Sequence, residues 1–135
     1  MKTLPASEAT PQHLALNAIL NGLGVLEAAT VTKGATLVDL QVRDRIYQPN
    51  EAISEVFFPL DCVLSIVTRM KDGNAIEVGT IGREGCSAIP LLLGATTTAN
   101  ESYCQVGGSA ISKRTASQWQ AARIISASPP LRGRR

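Results

Sequence analysis

The sequence is poor in the residues on which metal and thiol catalysis depend. Its 135 residues include one histidine, His13, and three cysteines, Cys62, Cys86 and Cys104. A metal enzyme on a small β-roll holds its ion with several histidines, so a single one argues against that class. The same scarcity argues against Ser-His-Asp or Cys-His catalysis unless His13 folds beside a thiol. Three cysteines without Cys-x-x-Cys spacing are too few for an iron–sulfur cluster and predict reduced thiols in a cytoplasmic protein.

Net charge and long apolar runs are also scarce. Thirteen Lys and Arg against eleven Asp and Glu leave a formal charge of +2, which is too small to indicate nucleic acid or an anionic membrane as partner. The longest apolar stretch, residues 88–95, is interrupted by Pro90 and Gly94, whereas a membrane helix needs roughly 20 residues. No apolar run follows Lys2, so a secretory signal is not indicated. We expect one domain with its own core and no membrane partner.

The two ends of the chain differ from its middle. Residues 1–12 are small and polar and predict a loose leader. From residue 12 to 26, leucines and an isoleucine recur at intervals of mostly three and four, which predicts one amphipathic helix weakened by Gly22 and Gly24. Residues 115–125 have helical spacing but run into two prolines, and a basic tail follows. We therefore predict a flexible leader over 1–12, a β-roll with an N-terminal helix over 13–114, and a truncated helical segment with its tail over 115–135.

The middle of the chain contains short runs of Val, Ile, Leu, Thr and aromatic residues. Turn signals separate these runs, which is typical of an all-β sandwich or roll. The Asp72-Gly73 pair predicts a tight hairpin, because glycine tolerates the positive φ angles that such turns need. The predicted strands cover residues 35–40, 45–48, 55–58, 62–70, 75–81, 102–106 and 110–113.

One glycine-spaced stretch, Gly79-Thr80-Ile81-Gly82-Arg83-Glu84-Gly85, follows a predicted strand. It lacks the Gly-Lys-Ser/Thr ending of a Walker loop and the long helix that follows a dinucleotide fingerprint. Its backbone N–H groups could still face an anion, with residues 86–94 forming one short helical turn after it. The alternative is a tight loop with no ligand.

Several motifs in register resemble the bacterial Crp/Fnr-type transcription regulators. Tyr47-Gln48-Pro49-Asn50-Glu51 and Val56-Phe57-Phe58-Pro59-Leu60-Asp61-Cys62-Val63-Leu64-Ser65 are similar to that family's "Y-x-P-G-E … V-Y-F-P-L-x-G-V-V-S" stretch. The stretches 72–85 and 90–94 continue the match in order, and the similarity extends over roughly residues 14–132. The resemblance implies a mainly β fold, a double-stranded β-helix or jelly-roll of cyclic-nucleotide-binding type with short flanking helices.

The resemblance also implies a ligand loop, from which this sequence departs. Nucleotide-binding members read Gly-Glu-x-Ala/Gly in that loop, and an Arg at the start of the next strand holds the phosphate together with backbone amides. Here Arg83 stands where the Glu is expected, Glu84 is displaced by one, and residues 98–102 contain no Arg. We therefore expect weak or absent cyclic-nucleotide binding and no other cofactor. The candidate ligand-binding residues are Gly82, Arg83, Glu84, Gly85, Cys86, Asn100 and Glu101.

These observations predict a regulatory, non-enzymatic module that senses a small-molecule effector. The family's long dimerisation helix and helix-turn-helix are missing from the sequence, so we expect a weakened homodimer and no specific DNA recognition. Two alternatives remain open. One is a small cupin-like metal enzyme, and the other is a degenerate domain with no ligand.

Overall fold

The computed structural model describes residues 2–8, 11–23, 35–87 and 97–114. Within these ranges the chain forms eight β-strands and two one-turn helices. In chain order they are β1 (Lys2–Glu8), α1 (Pro11–Leu14), α2 (Ala18–Asn21), β2 (Thr36–Leu40), β3 (Arg45–Tyr47), β4 (Glu55–Pro59), β5 (Val63–Arg69), β6 (Ala75–Ile81), β7 (Glu101–Val106) and β8 (Gly108–Arg114).

The strands form two antiparallel four-stranded sheets, in the orders β1-β2-β8-β4 and β3-β7-β5-β6. Distant parts of the chain meet in the first sheet, where Thr36 of β2 pairs with Ser112 and Glu55 of β4 pairs with Arg114. The chain passes from the second sheet to the first at Gly107, between β7 and β8. This arrangement confirms the mainly β jelly-roll with short helices that the sequence predicts.

Two groups of buried side chains form the core. One includes Phe58, Leu20 and Ile111 and joins α2 to the first sheet. The other includes Leu64, Cys104 and Leu40 and lies between the two sheets. The apolar residues that the sequence analysis placed in strands therefore supply most of the interior.

The hairpin between β5 and β6 is confirmed. The Gly73 N–H donates to Met70 O at 3.0 Å, and the Met70 N–H donates to Asn74 O at 2.7 Å. Gly73 has a φ of 89°, which an L side chain rarely adopts, so glycine is needed at this position.

The structure corrects two expectations at the N-terminus. Residues 2–8, predicted as part of a loose leader, form β1 at the edge of the first sheet, with an irregular register between Thr3 and Glu8. An edge strand tolerates proline because only one of its sides is paired, so Pro5 does not prevent pairing. The single predicted helix over 12–26 is instead two short helices that are interrupted before Asn17, and Gly22 caps the second. Residues 24–26, 88–94 and 115–125, where further helical structure is predicted, lie outside the described residues.

Candidate functional site

The segment after β6, residues 82–87, is called the glycine loop here. Its first part is a tight turn in which the Gly85 N–H donates to Gly82 O at 3.1 Å. The Gly82 N–H donates to Glu84 Oε1 at 2.9 Å. A Cβ at position 82 would lie 2.9 Å from Glu84 Oε2, so the glycine lets this carboxylate fold over the turn. The Gly82 and Glu84 N–H groups hold the pKa of the Glu84 carboxyl below its ordinary value, so the turn supplies its own anion.

Asn17 fastens the glycine loop to the body of the domain. Its side chain is fully buried, and Nδ2 donates to Pro59 O at 2.8 Å and to Gly85 O at 3.0 Å. Its Oδ1 accepts the N–H groups of Ile19 and Leu20, which makes it the N-cap of α2. One amide thus connects the glycine loop, the end of β4 and the start of α2.

A second backbone contact joins the same elements. The Ala18 N–H donates to Arg83 O at 2.8 Å, so Arg83 contacts α2 through its carbonyl while the residue itself is exposed. The guanidinium charge that could attract an anion to this loop therefore lies at the surface.

The far end of the glycine loop is fixed to β4. The Ser87 N–H donates to Phe57 O at 2.9 Å, and Ser87 Oγ accepts the Phe57 N–H at 2.9 Å. Cys86 is buried in the core group that includes Leu20 and Phe58. The predicted site residues 82–86 thus share one loop, and within it Cys86 is a core side chain.

Asn100 and Glu101 are not brought to the glycine loop. Thr68 Oγ1 donates to Asn100 Oδ1, and Arg69 Nη2 lies 3.0 Å from Glu101 Oε1. Ile81, before the loop, pairs with Leu64, whereas Glu101 pairs with Val67, three residues further along β5. At about 3.3 Å per residue this is a separation of about 10 Å along the strand. The seven candidate residues therefore fall into two separate groups.

Asn17 was missed as a site residue. Sequence reasoning placed it inside a continuous helix, yet Asn is among the strongest helix N-caps, and an apolar run follows it in Ile19 and Leu20. That local signal would have placed a helix start here. The contacts of its Nδ2 with Pro59 and Gly85 depend on the tertiary fold, and the sequence carries no sign of them.

The thiols of Cys62 and Cys104 are free and buried. Burial raises the pKa of the Cys62 thiol to about 12, with a further contribution from the neighbouring Cys104 thiol. Burial also raises the pKa of the Cys104 thiol, and its Sγ donates to Val106 O at 3.2 Å. Thiols that stay protonated at neutral pH are poor nucleophiles and poor metal ligands.

Across the described parts of the chain, no three His, Cys, Asp or Glu side chains come close enough together to hold a metal ion. The helices found in those same parts are too short to span a membrane.

Similar solved structures show which fold the chain adopts. It is similar to a regulatory subunit of a cAMP-independent protein kinase A from Trypanosoma brucei, a mutant bound to cAMP in the A site, with a TM-score of 0.71 and 15% identity. The match covers 88% of this chain and 45% of that one, so the chain spans less than half of that neighbour.

Two further neighbours come from bacterial regulators. The sensor domain of the transcriptional regulator DNR from Pseudomonas aeruginosa matches with a TM-score of 0.67 and 11% identity, over 87% of this chain and 77% of that one. The N-terminal domain of a transcriptional regulator from Streptomyces coelicolor A3(2) matches with a TM-score of 0.63 and 12% identity, over 84% and 82%. No family model matches the sequence. No curated protein matches it either. The chain thus has the fold of a cyclic-nucleotide-binding domain, the fold that the Crp/Fnr-like motifs imply.

Proposed function

We propose that the chain is the effector-sensing domain of a bacterial Crp/Fnr-type transcription regulator that acts in the cytoplasm without catalysing a reaction. Two similar structures are domains of transcriptional regulators, and the motifs of residues 47–51 and 56–65 resemble the same family. The ligand is a small-molecule effector, and cyclic nucleotides bind weakly or not at all.

Weak cyclic-nucleotide binding is inferred from the contact between Gly82 and Glu84. The Gly82 N–H that could bind a phosphate already donates to the Glu84 carboxylate. An incoming phosphate would have to displace that carboxylate and would meet its negative charge. Arg83 is the guanidinium in this loop, and it is exposed. A hydrogen bond between an arginine and a phosphate contributes about 1.5–3 kcal/mol, so its loss lowers the affinity for a cyclic nucleotide roughly tenfold to a hundredfold.

The contacts of the glycine loop also connect a bound effector to the position of α2. A ligand that opens the Gly82–Glu84 contact would displace Arg83 O and Gly85 O, which bind Ala18 and Asn17. Since Asn17 caps α2, the position of this helix would change with the loop. Effector binding would then shift the population between two arrangements of α2 against the roll.

Calorimetric titration of the full chain with cAMP and cGMP tests the proposal. We expect millimolar affinity or no measurable heat. Replacing Glu84 by Gln removes the competing charge, so the Glu84→Gln variant should bind either nucleotide up to about tenfold more tightly. Micromolar binding by the unmodified chain that Arg83→Ala abolishes would contradict the weak-binding part of the proposal.

A further inference from the structure

A depression lies on the β3-β7-β5 part of the second sheet, away from the glycine loop. Its volume is about 390 Å³, within the size range of small-molecule sites. Four of its lining residues, Arg43, Arg45, Arg69 and Tyr103, define what is called the arginine cleft here. Arg69 pairs with Ala75 at one end of the hairpin, whereas Gly82 follows the pair of Ile81 with Leu64 at the other. The five steps from Leu64 to Arg69 span about 16 Å of strand, so the two places are distinct.

The arginine cleft concentrates positive charge. Arg43, Arg45 and Arg69 are all exposed, and Glu101 is the one acidic residue among those lining the cleft. Among the lining residues, three guanidinium groups stand against one carboxylate, an excess of two positive charges. The Asp44 carboxylate lies near Cys104 and accepts the Gln41 N–H at 2.7 Å. Within the described ranges, Arg69 pairs with Glu101 at 3.0 Å, while Arg43 and Arg45 have no acidic partner. Two guanidinium groups are thus available to an anion.

Strand pairing and backbone hydrogen bonds fix the main chain that carries Arg43, Arg45 and Tyr103. Arg45 of β3 pairs with Tyr103 of β7, so a cationic and an aromatic residue lie side by side on the sheet. The Arg43 N–H donates to Cys104 O at 2.8 Å, and the Cys104 N–H donates to Asp44 O at 2.8 Å. Since Cys104 also pairs with Leu64 of the inner strand β5, the turn that carries Arg43 is joined to the sheet.

Arg43 occupies an unusual conformation for its residue type. Its φ of 77° lies in the left-handed region, which Gly and Asn adopt at lower cost than Arg. Gly or Asn at position 43 would adopt this backbone conformation with less strain. The left-handed backbone at position 43 thus carries an exposed arginine that lines the same depression as Arg45 and Arg69.

We propose that the arginine cleft binds a small molecule that carries at least two phosphate groups and a planar ring. Guanidinium groups bind phosphate oxygens through paired hydrogen bonds, and two or three of them suit a diphosphate better than a single phosphate. Tyr103, 36% exposed, offers a ring on which a planar group can stack. A single-stranded nucleic acid would need a longer row of basic residues and several aromatic side chains for its bases to stack on. The arginine cleft offers one aromatic ring. A nucleoside diphosphate has the required chemistry.

Calorimetric titration of the full chain at low ionic strength tests this proposal, with inorganic pyrophosphate, ADP and adenosine as probes. We expect pyrophosphate to bind, ADP to bind more tightly, and adenosine not to bind. Arg45→Gln and Arg69→Gln should each weaken pyrophosphate binding about threefold to tenfold, as expected for exposed charge-assisted contacts. Tyr103→Leu should remove the advantage of ADP over pyrophosphate and leave pyrophosphate binding unchanged.

Two variants separate binding from folding and from overall charge. Arg43→Asn keeps a residue suited to positive φ, so its melting temperature should equal or exceed that of the unmodified chain while pyrophosphate binding weakens. Arg114→Gln removes the same charge from an exposed position on β8 of the first sheet and should leave pyrophosphate binding unchanged. Absence of pyrophosphate binding, or equal weakening by Arg114→Gln, would overturn the proposal. Tighter binding of a single-stranded oligonucleotide than of ADP would overturn it in favour of a nucleic-acid surface.

Discussion

Replacement of Asn17 by alanine should destabilise the domain by several times the cost of an ordinary surface substitution. The side chain is fully buried and makes four hydrogen bonds, two as acceptor within α2 and two as donor to Pro59 O and Gly85 O. Loss of an N-cap costs about 1 kcal/mol. Each carbonyl left without its donor costs about 1 kcal/mol or more. The Asn17→Ala variant should therefore lose about 3 kcal/mol, a large fraction of the 5–15 kcal/mol typical of a domain.

The measurement is urea unfolding followed by circular dichroism, with a thermal scan in parallel. For a chain of this size 3 kcal/mol corresponds to a fall in melting temperature of about 10 °C. Asn21→Ala is the matched control, because Asn21 has the same side chain, ends the same helix and is exposed. Asn17→Asp keeps the acceptor but loses both donors, so it should be at least as unstable as Asn17→Ala. If Asn17→Ala lost no more stability than Asn21→Ala, the role given to Asn17 as the connection between loop, strand and helix would be refuted.

Two further predictions concern a turn and a thiol. Gly73→Val should lower the free energy of unfolding by about 1–2 kcal/mol, because the φ of 89° is strained for a β-branched residue; Gly73→Asn should cost much less, and equal losses in urea unfolding would contradict this. Since the folded pKa of Cys62, about 12, exceeds its ordinary value of 9.0, the unfolded chain loses this proton first as pH rises. The free energy of unfolding should therefore be unaffected below about pH 9 and fall above it, by at most about 1.4 kcal/mol per pH unit. Cys62→Ala should make this fall shallower, and an unchanged slope would count against the assignment.

The strands of the second sheet could largely be predicted from the sequence. Runs of β-branched residues ended by strong turn signals define β6 over the predicted residues 75–81 and the hairpin at Gly73. β1 could not be predicted, because its residues 2–8 have little apolar character and an edge strand forms through its backbone. The helix was extended through Asn17 because the leucine spacing continues on both sides, although Asn17 is a strong N-cap residue and marks the start of α2.

The candidate site could be predicted only where its residues are close in sequence. The glycine loop is one local turn, so the glycine spacing was sufficient to locate it. The placement of Glu101 depends on register, and both pairings of β5 contain a shift, between Ile66 and Val67 on one side and between Val63 and Leu64 on the other. Such bulges follow from packing, and a propensity argument does not reveal them. The arginine cleft could not be predicted either, because its residues come from three strands and the turn before β3, which meet only in the folded sheet.

The central position of β8 in the first sheet has a consequence for the order in which the domain assembles. β8 is the last of the described strands in the chain, yet it lies between β2 and β4. During synthesis both strands emerge from the ribosome long before residues 108–114, and each must wait with an unpaired edge until then. The β5–β6 hairpin closes locally and can form much earlier. We therefore expect nascent chains that stop short of residue 108 to bind chaperones or aggregate.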